Sequence, residues 1–268
     1  MQEWIQMEQK AMEQVVALAE KKYKNFKHHR LEALLRAMMA SMFIGFGVIV
    51  AFKTGSFFYN EGSPFAYPMA ALTFGTAIVL IYFGGGDLFT GNTFYFTTAA
   101  LRKQISWVET IKFWAFSWIG NLLGAILFAF IIWGTGLFQT KEINGFLMHV
   151  VEAKMHAPTL QLLFRGILCN WLVCLAFFIP MTIQGDGAKI ATMLLFVFGF
   201  FISGYEHSIA NMSSFAVALV NPHPMAITLE GFLHNMIPVT IGNIIGGGLF
   251  MGVVYSYFNR ASKKDVAA

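Results

Sequence analysis

The amino-acid sequence predicts an all-α membrane protein: six transmembrane helices in two inverted three-helix repeats, with helices two and five broken inside the bilayer. Three observations carry that prediction. Of 268 residues, 57% are hydrophobic and only 12% are charged, where ordinary soluble domains carry about 25% charged residues, and the mean hydropathy is +0.61. Apolar runs of about 20 residues or more, the length a helix needs to cross hydrocarbon, recur along most of the chain. Residues 119–128 (IGNLLGAILF) return at 241–250 as IGNIIGGGLF, identical at six of ten positions.

Residues 1–30 make the first element. Glu3, Glu8 and Glu13 precede the basic cluster of Lys21, Lys22, Lys24, Lys27 and Arg30, and the segment has no apolar core of signal-peptide length. Met12, Val15, Val16 and Ala19 recur at helical spacing, which predicts an amphipathic helix on the inner membrane surface. The crossings follow at 33–53, 67–101, 109–136, 159–180, 189–220 and 232–258, within a transmembrane domain of residues 31–258, and 259–268 form a tail. Basic residues set the orientation. The N-terminal segment, the connection with Arg102 and Lys103, and the tail with Arg260, Lys263 and Lys264 are basic, whereas 54–66 and 221–231 hold no Lys or Arg. Both termini are therefore expected in the cytoplasm, and the connection at 137–158, with Lys141 and Lys154, outside. The net charge of +4 then sits on membrane flanks, so no nucleic-acid partner is expected. Cys169 and Cys174 share one apolar run and read as small core residues rather than a disulfide or a zinc site; no metal or cofactor is expected.

The repeated decapeptide puts the third crossing in register with the sixth, 122 residues later. Three crossings separate the copies, so the two halves run in opposite directions through the membrane. Gly120 and Gly124, like Gly242 and Gly246, lie four apart, a spacing that lets helices pack closely. The same register pairs the second crossing with the fifth, and both are interrupted: FGGGDLFTGNTFYF at 83–96 and GYEHSIAN at 204–211. Irregular backbone at membrane depth survives only beside protein or a water-filled cavity. Interrupted segments at corresponding places in inverted halves point to a translocation site.

An ionisable residue inside the membrane is a functional candidate by default, which singles out His207. Glu206 reads either as a pathway group or as an acceptor for the exposed N–H groups of the half-helix that follows it, and Asp87 as the cap of the other break. An enzyme is not expected. The chain has no G-x-S-x-G, Glu206–His207 is not the H-E-x-x-H of zinc proteases, and the glycines at 84–86 lack the Gly-Lys-Ser/Thr of a phosphate loop.

GGGDLFTGN at 84–92, GILCNWLVCLA at 166–176, SGYEHSIANM at 203–212 and IPVTIGNIIGGG at 237–248 resemble the formate/nitrite transporter family in order, spacing and span. The resemblance runs from about residue 30 to residue 258. It implies an aquaporin-like fold, a homopentamer with one pore per protomer, and a multi-pass place in the lipid bilayer of a bacterial plasma membrane. It also implies passage of small monovalent weak-acid anions: formate or nitrite, with acetate and similar anions as further candidates. Residue by residue, the resemblance makes Leu88, Phe89, Thr90, Gly91 and Asn92 a flexible gating loop and sets the Thr90 hydroxyl opposite a pore histidine, His207. Phe74, Ile78, Phe200 and Val173 become two apolar constrictions. Lys154, Asn170, Glu206 and Asn211 become polar, anion-attracting groups around the pore. Arg165 stands where the formate channels carry an apolar residue, and is more like the nitrite branch.

Formate moved together with a proton, as the neutral acid, is the function expected. A nitrite channel is the alternative within the family and an aquaporin-like neutral-solute channel the alternative outside it, although the paired Asn-Pro-Ala of aquaporins is missing: the one Asn-Pro lies at 221–222. An anion entering two apolar rings loses hydration at a cost of several kcal/mol even after relaxation. Neutralising a carboxylate of pKa near 4 at pH 7 costs roughly 4 kcal/mol, at about 1.36 per unit. Lys154 and the half-helix ends would draw the anion in, and a protonated His207 would hand over the proton. A plain anion channel gated by residues 88–92 is the mechanistic rival.

Overall fold

The computed structural model describes residues 2–259, so Arg260, Lys263 and Lys264 of the tail lie outside the described residues. Helix α1 (Gln2–His28) is joined to α2 (Arg30–Asn60) through His29, whose backbone leaves the helical region at φ −136° and ψ 57°. Next come α3 (Ala66–Phe74), α4 (Thr76–Gly84), α5 (Phe89–Leu101) and α6 (Trp107–Thr135). Helix α7 (Lys141–Met155) precedes α8 (Thr159–Phe178), which a 3-10 turn extends to Met181, and then α9 (Asp186–Ile202) and α10 (Ser208–Val220). Helix α11 (Leu229–Ile244) continues through a π-helical segment, Ile245–Val253, into α12 (Val254–Phe258).

Among the described residues, five helices are long and apolar enough to cross a membrane: Arg30–Asn60, Ala66–Gly84, Trp107–Thr135, Thr159–Met181 and Leu229–Phe258. The fifth predicted crossing is split into α9 and α10, neither of spanning length, and the second is split into α3–α4 and α5. Each leading half ends on a glycine in the left-handed region, Gly85 at φ 70° and Gly204 at φ 70°. A residue without Cβ takes that conformation at no steric cost and stops the helix.

Two of these segments are packed into the domain. The connection at 137–158 contains α7, which buries Phe146, Leu147, Val151 and Met155 and so carries Lys154 inward. The apolar stripe of α1 does not wait for lipid: Ala11, Met12, Val15, Val16 and Ala19 are buried by the protein itself, where α1 packs on α5 and α2.

Close packing of α2 on α6 and of α8 on α11 builds the two halves alike. A Cβ on Gly124 would collide with the Met38 backbone, and one on Gly242 or Gly246 with the carbonyl of Leu163 or Ile167. The spacing of these glycines therefore does the packing it suggested. Gly124→Ala is expected to lower the thermal midpoint of the detergent-solubilised protein, since overpacking costs about 1–3 kcal/mol. Gly134→Ala, which meets open space on the same helix, is expected to leave the midpoint unchanged or raise it slightly; equal losses for both would refute the steric account.

Candidate functional site

The breaks are held by their own repeats. In the first half Asn121 Nδ2 donates to the carbonyls of Ala37 (2.7 Å) and Asp87 (3.0 Å), while its Oδ1 accepts the Phe89 N–H at 3.0 Å. In the second, Asn243 Nδ2 donates to the carbonyls of Gly166 (2.8 Å) and Glu206 (3.0 Å), and its Oδ1 accepts the Ser208 N–H at 2.8 Å. One buried amide thus satisfies two backbone groups that a broken helix leaves open and ties them to a carbonyl of the neighbouring unbroken helix, α2 or α8. Both asparagines stand in the repeated IGN triplet, where only the neighbouring glycines had drawn notice.

An acid at each break gathers a lysine and an asparagine. Lys154 Nζ lies 2.9 Å from Glu206 Oε2 and 3.3 Å from Asn211 Oδ1, and Asn211 Nδ2 donates to the same Glu206 oxygen at 2.6 Å. At the other break Lys22 Nζ lies 3.0 Å from Asp87 Oδ1 and 2.7 Å from Asn92 Oδ1, and Asn92 Nδ2 donates to Asp87 Oδ1 at 2.6 Å. Asp87 is therefore a member of an ion pair as well as a neighbour of the break. Lys22, counted only as a basic flank from sequence, arrives from α1. The equal spacing of Asp87 to Asn92 and Glu206 to Asn211 was the available signal.

Between the clusters stands His207. Its ring caps α10, with Nδ1 accepting the Ala210 N–H at 3.0 Å, and Nε2 meets Thr90 Oγ1 at 3.0 Å. Because Nδ1 accepts, the single proton of this ring is on Nε2, and it is the proton that faces Thr90. Leu88 precedes α5 as His207 precedes α10, in the same extended conformation. Asn170 braces the contact from behind, its Nδ2 3.2 Å from the Thr90 carbonyl, 2.9 Å from Thr93 Oγ1 and 2.6 Å from the Asn243 carbonyl.

The expectation of a flexible loop at Leu88–Asn92 is corrected. Phe89, Thr90, Gly91 and Asn92 form the buried first turn of α5, and only Leu88 is extended. Thr, Gly and Asn are poor helix formers, but Asn121, Lys22 and the Trp114 indole, which donates to the Asn92 carbonyl at 3.1 Å, supply tertiary bonds that outweigh propensity.

Four cavities lie in file. A vestibule of about 620 Å³ opens beside α1 and reaches Lys22, Asp87 and Leu88. A cavity of about 20 Å³ follows, lined by Ile78, Leu88, Val173, Phe200 and His207, and then one of about 30 Å³ lined by Phe74, Phe200, His207, Lys154 and Asn211. The last, about 370 Å³, opens on the other face past Lys154, Glu206 and Arg165. A water needs roughly 10–15 Å³ of such space, so each of the two middle cavities has room for only about one to three water-sized bodies. Phe74 meets Phe200 edge-on at 6.1 Å, and Phe200 lies over the His207 ring at 6.0 Å. The four apolar residues expected at constrictions, the histidine and Thr90 are thus brought together.

Residues 9–257 match the family described as formate/nitrite transporter. The chain is 56% identical over 253 residues to the "Uncharacterized transporter YwcJ" of Bacillus subtilis (strain 168), covering 94% of this chain and 99% of that one. It is 37% identical over 232 residues to the nitrite transporter NirC of Escherichia coli (strain K12), covering 85% and 84%. Among solved structures, an FNT family ion channel superposes with a TM-score of 0.87 at 33% identity, covering 92% of this chain and 98% of that one. A pentameric formate channel with formate bound superposes with a TM-score of 0.71 at 26% identity, covering 90% and 98%.

Proposed function

Because the chain belongs to the formate/nitrite transporter family, we propose that it is a channel for small monovalent weak-acid anions, formate foremost, and that each anion passes together with a proton. One observation carries this reading: among the described residues, His207 is the titratable side chain that lines the smallest of the four cavities in a file whose two ends each hold a lysine. The lysine clusters would collect the anion; the apolar pinch would admit it only once neutral.

Proton balance follows from the ring. A second proton on the imidazole must land on Nδ1, which costs the bond from Ala210, about 1 kcal/mol net for a typical hydrogen bond, and puts a cation in a buried site, at several kcal/mol more. An anion about 4 Å away offsets much of this, since the attraction is about 4 kcal/mol at an effective dielectric of 20. The charged ring therefore forms beside the anion rather than without it. Transfer of the Nε2 proton to the anion yields the neutral acid and a neutral ring protonated on Nδ1; loss of that proton to water and uptake of one at Nε2 restores the cap that accepts the Ala210 N–H.

Nitrite is the second reading, favoured by the greater identity to a nitrite transporter than to the structurally similar formate channel. Five copies around a central axis, each with its own pore, is the assembly proposed, in keeping with the pentameric neighbour. The bacterial transporters it is similar to support a bacterial plasma membrane, and the distribution of Lys and Arg supports cytoplasmic termini.

The test is selectivity in reconstituted vesicles. Formate and nitrite are expected to enter with one proton each, read as internal pH, while chloride, which is not usefully protonated, is expected to be nearly excluded. Chloride flux equal to formate flux would refute the proton-coupled reading, and glycerol flux without formate flux would replace it with a neutral-solute channel.

A further inference from the structure

The two repeats put an arginine at each mouth, and the two differ in state. Asn121 and Asn243 bind the carbonyls of Ala37 and Gly166, so those residues correspond, and the residues just before them are Arg36 and Arg165. Their own carbonyls accept the amides of Asp87 at 2.9 Å and Glu206 at 3.3 Å. Beyond the backbone the symmetry fails. Arg36 is held on two edges, by Nε to Glu32 at 2.9 Å and by Nη1 to the Gly85 carbonyl at 3.2 Å. Arg165 makes one side-chain hydrogen bond, from Nη2 to the neutral Gln161 Oε1 at 3.1 Å, where Arg36 has a carboxylate. Arg165 is exposed and lines the 370 Å³ vestibule. The charge of Lys154 there is met by Glu206 at 2.9 Å, and His149, the other titratable base of the lining, lies against the Tyr59 ring at 5.6 Å. Among the described residues, Arg165 is the cation of this vestibule that no acid neutralises.

A guanidinium offers paired N–H groups that match two oxygens of a planar oxyanion, in bonds roughly twice as strong as neutral ones; an ammonium acts as a point charge. We infer that Arg165 docks the incoming anion at the mouth away from the termini, gripping a two-oxygen species through N–H groups that have no other partner, before the anion moves on to Lys154. Arg36 is withheld from the same task by Glu32 and Gly85. The inference rests on the reading of the chain as an anion channel. It makes the two faces unequal in capture, though not in what finally passes.

Arg165 holds the break through its main-chain carbonyl, which substitution keeps, so variants retain the fold. The experiment measures uptake of labelled formate, and separately of nitrite, at rising concentration in right-side-out and inverted membrane vesicles. Arg165→Gln is expected to raise the half-saturating concentration at the face away from the termini by roughly threefold to tenfold, leaving the saturating rate and the other face unchanged. Gln161→Glu, which recreates the Glu32–Arg36 pair at this mouth, is expected to do the same, and Arg165→Lys to recover only part of the loss. An unchanged half-saturating concentration in Arg165→Gln, or full recovery in Arg165→Lys, overturns docking by the guanidinium fork. A parent protein that takes up neither anion from either face at saturation overturns the channel reading instead.

Discussion

His207→Asn is expected to let a reduced flux of formate through without its proton. Asparagine is among the best N-caps, so its Oδ1 can accept the Ala210 N–H that the Nδ1 of His207 now accepts, and its amide can turn toward Thr90. It cannot become cationic. The anion must then cross the pinch between Phe74 and Phe200 charged, and because each 1.36 kcal/mol of added barrier is tenfold in rate, a fall of at least about tenfold is expected. The remaining flux should carry current and lose the rise on acidification expected of the parent. Internal pH and membrane current recorded together in formate-loaded vesicles check this. A parent-like ratio of protons to formate in the variant would make the imidazole a structural pore residue and sink the relay.

Asn243→Leu is expected to abolish the folded oligomer. The substitution keeps volume but strips partners from the Ser208 N–H and the Glu206 carbonyl at the break, and cuts the tie to the Gly166 carbonyl of α8. The two break groups lie in a buried region of a membrane domain, where each unpaired backbone group costs several kcal/mol. Asn121→Leu removes the corresponding three bonds from the other break and should fail to the same degree. Size-exclusion profiles of the detergent-solubilised variants give the answer; a monodisperse peak with the parent's thermal midpoint for either would show that the breaks are held by something else.

The spans and their breaks were legible in the sequence, because hydrocarbon imposes a length on apolar runs and makes an intramembrane Glu-His pair conspicuous; the meeting of Thr90 with His207 came from the family resemblance alone. What stayed hidden depends on docking. Lys22 sits in a run of exposed-looking lysines, and nothing local distinguishes it from Lys21 or Lys24. Helix α7 is too short and too polar to register as a span, so the burial of Lys154 could be inferred only from the family resemblance. The first turn of α5 reads as a loop from its Thr-Gly-Asn, since the bonds that hold it come from Asn121, Trp114 and α1, far away along the chain. The different states of Arg36 and Arg165 follow from Glu32 and Gln161 one turn earlier, a contrast visible only after the inverted register is known to the residue.

The two lysine clusters have different origins, and this has a consequence for what each mouth presents to an approaching ion. Lys154 comes from a helix between two spans of the domain, whereas Lys22 belongs to α1, which lies outside both repeats, is joined to them in the chain at His29 and packs on α5 and α2. Lift α1 away, and the mouth keeps Asp87 while losing the ammonium 3.0 Å from it, together with Lys21 and Lys24 from the vestibule lining. The same opening would then show an unpaired carboxylate and repel the ions it now attracts. The polarity of one end of the passage is thus set by a helix outside the repeats, while the polarity of the other is built into the wall.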